Sequence, residues 1–166
     1  MMASGRKIGK SLLSWGVVLA LIAALPVYTS RDLVTGPPPE ISGPLTSGER
    51  FMGLATLGKP AVIYFWASWC GVCKLMQPTL RSLAGDFPMI TVALQSGDIP
   101  AVKAYMKKNA LDAPTVVDED GAIAAAYGVR GVPAVFMVDG DGAIRYAMTG
   151  YATELGLRIR LWLASR

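Results

Sequence analysis

Hydrophobic positions along the chain form two patterns, continuous apolar runs and stretches in which apolar side chains recur every three or four residues. The continuous runs lie within 59–66 and at 89–94 and are rich in β-branched and aromatic residues, which is typical of buried parallel strands. Helical spacing follows each run, over about 74–87 and 99–108. Strand, helix and strand in this order predict an α/β domain.

Shorter elements complete the pattern toward the carboxyl end. The sequence predicts a strand at 115–117, a small helix within 121–127, strands at 134–138 and 144–149, and a closing helix after Thr153. The last two strands flank Asp139-Gly140-Asp141-Gly142, and Asp-Gly between apolar runs is a strong hairpin signal. Together these elements predict a central mixed β-sheet flanked by helices.

The amino-terminal part of the sequence has a different character. Basic residues precede a largely apolar stretch at 12–28 that carries no charged residue. We interpret 1–11 as a cytoplasmic basic flank and 12–28 as a transmembrane signal-anchor helix, near the lower length limit for a bilayer span. A cleaved signal peptide stays open as an alternative, because small residues lie near the end of the apolar stretch. Either way, the following domain is expected to be exported.

Between this anchor and the domain, residues 29–40 are rich in proline and glycine. The run Gly36-Pro37-Pro38-Pro39 predicts a stiff, extended linker, which places the domain at 41–166. A chain of this length suffices for one hydrophobic core. Because no coiled-coil heptad is found between anchor and domain, a monomer is expected.

The charge distribution argues against one class of function. The chain has 16 basic and 12 acidic residues, and three of the basic ones, Arg6, Lys7 and Lys10, precede the apolar stretch. The exported part is therefore almost neutral. It has no basic patch with interleaved aromatic residues, so no nucleic-acid partner is expected.

Candidate chemistry centres on Cys70 and Cys73, the only cysteines in 166 residues, where the first apolar run gives way to a helix. Two intervening residues on a first helical turn let the two sulfurs come within bonding distance. The helix amino terminus offers unsatisfied N–H groups and the positive end of the helix dipole, which stabilise a thiolate. We expect Cys70 to attack and Cys73 to resolve the mixed disulfide.

Other interpretations of the cysteine pair remain open at this point. A zinc site normally takes four ligands, whereas the chain has no histidine and no second cysteine pair. A static structural disulfide would close a loop too short to stabilise much. The pair could also be two buried cysteines without a role. As a function of another class, a non-catalytic copper- or zinc-binding module would use the two thiolates as soft ligands.

Two separated motifs carry a family resemblance. The segment Phe65-Trp66-Ala67-Ser68-Trp69-Cys70-Gly71-Val72-Cys73-Lys74 resembles the active-site segment of thioredoxin-like proteins, with Pro78 matching the family's helix-kinking proline. The block at 127–136 resembles the family's segment that ends in a cis-proline, here Val132-Pro133. The resemblance covers about 41–164 and implies the thioredoxin-like fold, a redox-active disulfide between Cys70 and Cys73, and no cofactor.

The resemblance also implies supporting roles for the neighbours of the cysteines. These active-site support residues are Trp69, Gly71, Val72, Lys74, Val132 and Pro133. Trp69 would offer apolar contact to an extended peptide, and the backbone of Val132 would pair with it as an added strand. Tyr64 departs from the family, because cytoplasmic thioredoxins place a buried aspartate there. The proton acceptor for Cys73 therefore stays open between water, a carboxylate such as Glu119, and the substrate.

Softer motifs point to one branch of the family. Segments 92–98 and 116–121 resemble the membrane-anchored TlpA/DsbE-like branch. Within that branch they are most similar to the suppressor of copper sensitivity protein D group. This implies a single-pass protein of the bacterial inner membrane, with its domain in the periplasm and copper stress as a context. The expected partners are exported cysteine-containing proteins and a membrane redox partner that recharges the domain. The neutral dipeptide Gly71-Val72 favours an intermediate or reducing potential.

Overall fold

The structure, a computed structural model, describes residues 30–41, 43–49, 51 and 60–166, together with 15, 16 and 18. Contacts divide the chain into two compact units, Met1–Arg31 and Asp32–Arg166. Within the described residues there is no helix both long and apolar enough to cross a bilayer. The predicted flank at 1–11 and nearly all of the predicted span at 12–28 lie outside the described residues.

The described part of the second unit contains five strands and four helices. They follow in the order β1 (Ala61–Trp66), α1 (Gly71–Ala84), β2 (Met89–Leu94), α2 (Ile99–Lys108), β3 (Thr115–Asp118), α3 (Ala122–Ala126), β4 (Ala134–Val138), β5 (Ile144–Thr149) and α4 (Glu154–Ala164). The strands and helices that the hydrophobic pattern predicts are therefore confirmed, most of them to within two residues.

The strands form one mixed sheet in the order β3-β2-β1-β4-β5. Strand β1 pairs parallel with β2 and antiparallel with β4, so that Phe65 lies opposite Val92 on one side and Ala134 on the other. Strand β3 joins β2 in parallel, and β5 closes the hairpin with β4. Every residue of β1 is buried, which explains its continuous apolar sequence.

Two apolar clusters cover the two faces of the sheet. One contains the cysteine pair and the inner side chains of α1, α2 and α4. The other contains α3 and an irregular segment that precedes β1. Helix α3 is fixed by the carboxylate of Asp118 at the end of β3, which accepts hydrogen bonds from the Ile123 and Ala124 amides at 3.0 and 2.9 Å. These two layers hold the central strand and the cysteines at its end.

The structure places the start of the packed domain earlier than the sequence prediction did. Leu33, inside the predicted linker at 29–40, is buried in the second cluster. Gly36 forms an isolated antiparallel bridge with Ile144, and the Tyr127 hydroxyl donates a hydrogen bond to the Pro39 carbonyl at 2.8 Å. The described part of the linker is thus packed on the domain because it supplies apolar and backbone partners, and the domain unit begins at Asp32 rather than at residue 41.

Candidate active site

Cys70 and Cys73 form a disulfide at the junction of β1 and α1, with their Cα atoms 5.3 Å apart. Cys70 is the N-cap residue of α1, and its Sγ accepts a hydrogen bond from the Cys73 amide at 3.0 Å. The first turn of a helix leaves such amides without backbone partners. The sulfur of Cys70 therefore occupies the place that a capping oxygen takes in other helices, where negative charge is stabilised.

The two cysteines differ in exposure. The exposed fraction is 6% for Cys70 and 2% for Cys73. Around them the surface is apolar and open, with Trp69 63% and Val72 41% exposed and with Gly71 exposed as well. A partner reaching this surface meets Cys70 before Cys73.

The second predicted motif lies beside the first. The Val132–Pro133 peptide bond is cis, as the resemblance implies. The Val132 carbonyl oxygen lies 3.6 Å from the Cys70 Sγ. In the disulfide that sulfur carries no hydrogen, so the distance marks a contact. A reduced Cys70 thiol would have this carbonyl within reach as an acceptor.

Sequence reasoning missed the residues that hold the loop before the cysteines. The Ser68 amide donates to the Ser96 hydroxyl at 2.9 Å, and the Trp69 indole N–H donates to the Gln95 carbonyl at 3.1 Å. Gln95 and Ser96 follow β2, directly beside the end of β1. Both residues belong to the segment at 92–98 that resembles one branch of the family. Nothing in that sequence indicated their contact with the loop, because the contact depends on how β1 and β2 pair. Gln95 has a positive φ of 43°, which marks the tight turn.

The cluster around the cysteines holds a phenol, Tyr64, where cytoplasmic thioredoxins place a carboxylate. Tyr64 lies in the same apolar cluster as Cys73, and among the described residues its hydroxyl has no hydrogen-bond partner. Burial raises the pKa of Tyr64, and the nearby Tyr105 raises that pKa further. Glu119, a carboxylate considered from the sequence as proton acceptor, is exposed after β3. With its pKa raised, the Tyr64 phenol stays protonated at neutral pH.

Lys74 is placed differently from the other predicted support residues. Its side chain is exposed, and its Nζ lies 6.0 Å from the centre of the Tyr105 ring. Tyr105 in turn stacks on Trp66, with ring centres 5.2 Å apart. The structure thus gathers Trp69, Gly71, Val72, Val132 and Pro133 at the disulfide, while the Lys74 ammonium lies near an aromatic ring.

The metal-binding alternative has little to draw on in the described part of the chain. There, no three side chains of histidine, cysteine, aspartate or glutamate are grouped so that they could hold a metal ion. The two sulfurs that would serve as soft ligands are bonded to each other.

Comparison with known proteins places this site in a family. Residues 34–147 match the model of the AhpC/TSA family. The chain is 30% identical over 162 residues to the "Thioredoxin-like protein" of Haemophilus influenzae, covering 96% of both chains. It is 29% identical over 158 residues to the "Thiol:disulfide interchange protein DsbE" of Pseudomonas fluorescens biotype C, covering 87% of this chain and 89% of the other.

A solved structure agrees with these sequence relatives. A secreted Mycobacterium tuberculosis disulfide oxidoreductase homologous to E. coli DsbE superposes with a TM-score of 0.63 and 29% identity, over 74% of this chain and 95% of that one. The sheet, the disulfide after its central strand and the cis-proline thus occur in a chain whose relatives are named as disulfide-exchange proteins. The chain belongs to the AhpC/TSA family, as a thiol-disulfide oxidoreductase of thioredoxin-like fold.

Proposed function

We propose that Cys70 and Cys73 exchange disulfides with exported proteins on the reductive side, in a domain that residues 12–28 anchor in the bacterial inner membrane and that faces the periplasm. The redox part is supported by the disulfide at the start of α1, in which Cys70 is the less buried residue. The anchor is supported by the uncharged apolar stretch after three basic residues.

The proposed exchange consists of two successive steps, and in each step a thiolate attacks one sulfur atom of a disulfide. In the reducing direction the Cys70 thiolate attacks one sulfur of a substrate disulfide, forms a mixed disulfide and releases the other substrate sulfur as a thiolate. The Cys73 thiolate then attacks the Cys70 Sγ, which releases the second substrate thiolate and restores the Cys70–Cys73 disulfide. Two electrons pass from the cysteine pair to the substrate, and the two protons lost by the pair balance those taken up by the products.

The surroundings of Cys70 suit an extended peptide as substrate. Trp69 and Val72 offer exposed apolar contact beside the sulfur, and Leu75 extends this surface at 69% exposure. The backbone of Val132 lies against the sulfur and offers a pairing edge for a substrate strand. Specificity would then come from apolar side chains on either side of the substrate cysteine.

Branch membership rests on shorter motifs. Segments 92–98 and 116–121 support a place near the suppressor of copper sensitivity protein D group within the TlpA/DsbE-like branch. Copper stress enters only as the context that this group suggests. A membrane partner that returns electrons to the pair completes the proposed cycle, because each turnover leaves the disulfide form behind.

Trapping the mixed disulfide tests the division of labour. In the full chain, Cys73→Ser should accumulate an adduct with a fluorescent disulfide-linked peptide at least about tenfold faster than Cys70→Ser, since Cys70 caps the helix and is the less buried of the two cysteines. Mass spectrometry after acid quenching measures both rates. Equal rates in the two variants would contradict the assignment of Cys70 as the attacking thiol.

The direction of exchange is tested by the equilibrium reduction potential of the full chain in detergent against glutathione, followed by tryptophan fluorescence. We expect a value closer to thioredoxin's roughly −270 mV than to the roughly −120 mV of DsbA. A value near that of DsbA would make the protein a disulfide donor.

A separate measurement tests the membrane anchor. Mass spectrometry of the chain recovered from membranes shows whether the segment at 12–28 is retained, and loss of this segment would refute the anchor.

A further inference from the structure

Helix α4 is apolar on two opposite faces. Its inner face, formed by Leu157, Leu161 and Ala164, is buried against the sheet. Opposite lies a second apolar row, which we call the outer stripe. Its members are Leu155, Ile159, Trp162 and Leu163, at 70%, 49%, 53% and 43% exposure. Offsets of four, seven and eight residues from Leu155 place all four within one band of about 100° on the helix.

Arginine side chains border the outer stripe. Arg158 pairs with two carboxylates, Glu154 at 2.9 Å and Asp86 at 2.8 Å, which together outweigh its charge by one. Arg160 donates to the Gly156 carbonyl at 3.0 Å, and the Arg166 guanidinium lies 3.9 Å from the centre of the Trp162 ring. Within the described residues no carboxylate pairs with Arg160 or Arg166. Counting these side chains, three arginines against two carboxylates leave the border of the stripe with one net positive charge.

We propose that the outer stripe docks α4 on the surface of an anionic phospholipid bilayer. Helices that lie in a membrane interface combine an apolar face with arginine or lysine at its border, and tryptophan favours the headgroup level. Arginine can direct its head to lipid phosphates while its stem stays beside the apolar chains. Leu155, Ile159 and Leu163 would enter the boundary of the acyl chains.

The stripe fits a lipid surface better than a second copy of the chain. Helix α4 has 11 residues and is about 16 Å long. Four partly exposed side chains on such a helix fall well short of the roughly 800 Å² per partner that a stable protein interface buries. Stripe-to-stripe pairing would also bring the unpaired arginines of both copies together, which is unfavourable.

Docking through the outer stripe leaves the redox site open. The polar contacts between α4 and α1 lie at the far end of α1, where the Ser82 hydroxyl donates to Glu154 at 2.8 Å and Asp86 pairs with Arg158. Ser82 is twelve residues beyond Cys70, or about 18 Å along the helix. The inference goes beyond the redox function and shares with it only a location at a membrane.

Photocrosslinking of the full chain tests the inference. A benzophenone amino acid replaces Ile159, and in a matched variant it replaces Ala125, which is exposed on α3 across the sheet. Both chains are reconstituted into phosphatidylethanolamine vesicles with a minor share of phosphatidylglycerol. We expect about tenfold more lipid adduct at position 159 than at 125, and an increase with the phosphatidylglycerol share.

Three outcomes would overturn the inference: a crosslinked dimer in place of lipid adduct, equal adduct at the two positions, or no adduct at position 159. In a second variant of the labelled chain, Arg160→Glu with Arg166→Glu should abolish the dependence on phosphatidylglycerol. Cosedimentation of each chain with the vesicles tests membrane anchoring independently of the docking of α4. A chain that sediments without adduct at 159 refutes the docking alone, whereas failure to sediment refutes the anchor.

Discussion

Tyr64 carries a buried hydroxyl inside the cluster that surrounds the cysteines. The side chain is 1% exposed, and among the described residues its hydroxyl has no hydrogen-bond partner. A buried polar group left unpaired costs about 1–3 kcal/mol. Because burial also raises the pKa of this phenol, the group remains neutral near Cys73 and does not replace a carboxylate as proton acceptor.

Replacing Tyr64 with phenylalanine should therefore stabilise the domain. We expect Tyr64→Phe to raise the free energy of unfolding by about 1 kcal/mol, since it removes the desolvated hydroxyl and keeps the ring. Urea unfolding of the oxidised protein measures the change. Tyr127→Phe is the matched control, because the Tyr127 hydroxyl donates to the Pro39 carbonyl and its loss should cost about 1 kcal/mol. Equal losses in both variants would contradict the prediction.

At the scale of elements, Asp139 organises the hairpin between β4 and β5. Its carboxylate accepts hydrogen bonds from the Asp141 and Ala143 amides at 3.0 and 2.9 Å and from the Arg145 guanidinium at 2.6 Å. Burial by itself would raise the pKa of Asp139, but these hydrogen bonds and the charge of Arg145 together lower it. The turn is thus held by an ionised side chain.

This arrangement predicts a pH dependence of stability. Because the folded pKa of Asp139 lies below its ordinary value of 3.8, its contribution is complete above that value and is lost as the pH falls through the folded pKa. Asp139→Asn should weaken stability by about 1 kcal/mol at neutral pH and flatten the acid decline. The midpoints of urea unfolding between about pH 5 and pH 2 measure this pH dependence in the variant and in the unchanged chain.

Asp141→Asn is the control for this prediction. Asp141 lies in the same turn with an exposed side chain, and only its backbone amide takes part in the network around Asp139. We expect it to retain the pH profile of the unchanged chain. An acid decline that is as steep in Asp139→Asn as in the unchanged chain would show that another carboxylate dominates.

Elements of this kind could be predicted because their signals are local. The Asp-Gly hairpin and Thr153 before α4 lie within a few residues of the structure they specify. The cysteine pair was found for the same reason, through its position at a strand-to-helix junction. Asp118 was missed as a helix-fixing residue, because its partners depend on how the chain folds back after β3.

At the scale of the whole molecule, prediction failed where irregular chain closes the second face of the sheet. Leu33, Ile41 and Leu45 are buried there without any helical or strand periodicity to mark them. Prolines at 37–39 indicated an extended linker, and the backbone partners that hold this segment, Tyr127 and Ile144, lie far along the chain, after β3 and in β5. Such contacts follow from tertiary structure, so the linker boundary at residue 41 could not be corrected from the sequence.

Gly128 is the position where this closure can be tested. Its φ of +69° favours glycine, and a Cβ built there would collide with the carbonyl oxygen of Asp32. Gly128→Ala should therefore displace the amino-terminal segment and lower the free energy of unfolding by about 2 kcal/mol or more. Hydrogen exchange should show faster exchange at the Val34 amide, which donates to the Tyr127 carbonyl.

Gly140→Ala is the control for Gly128, because Gly140 has no positive φ and nothing within 4 Å of the added Cβ. It should change stability by less than about 0.5 kcal/mol. The reduction potential should be the same in both variants, since Cys70 and Cys73 lie in the cluster on the opposite face of the sheet. If Gly128→Ala shifted the potential as well, the two faces would be coupled through β1, and the amino-terminal segment would contribute to the redox site as well as to the fold.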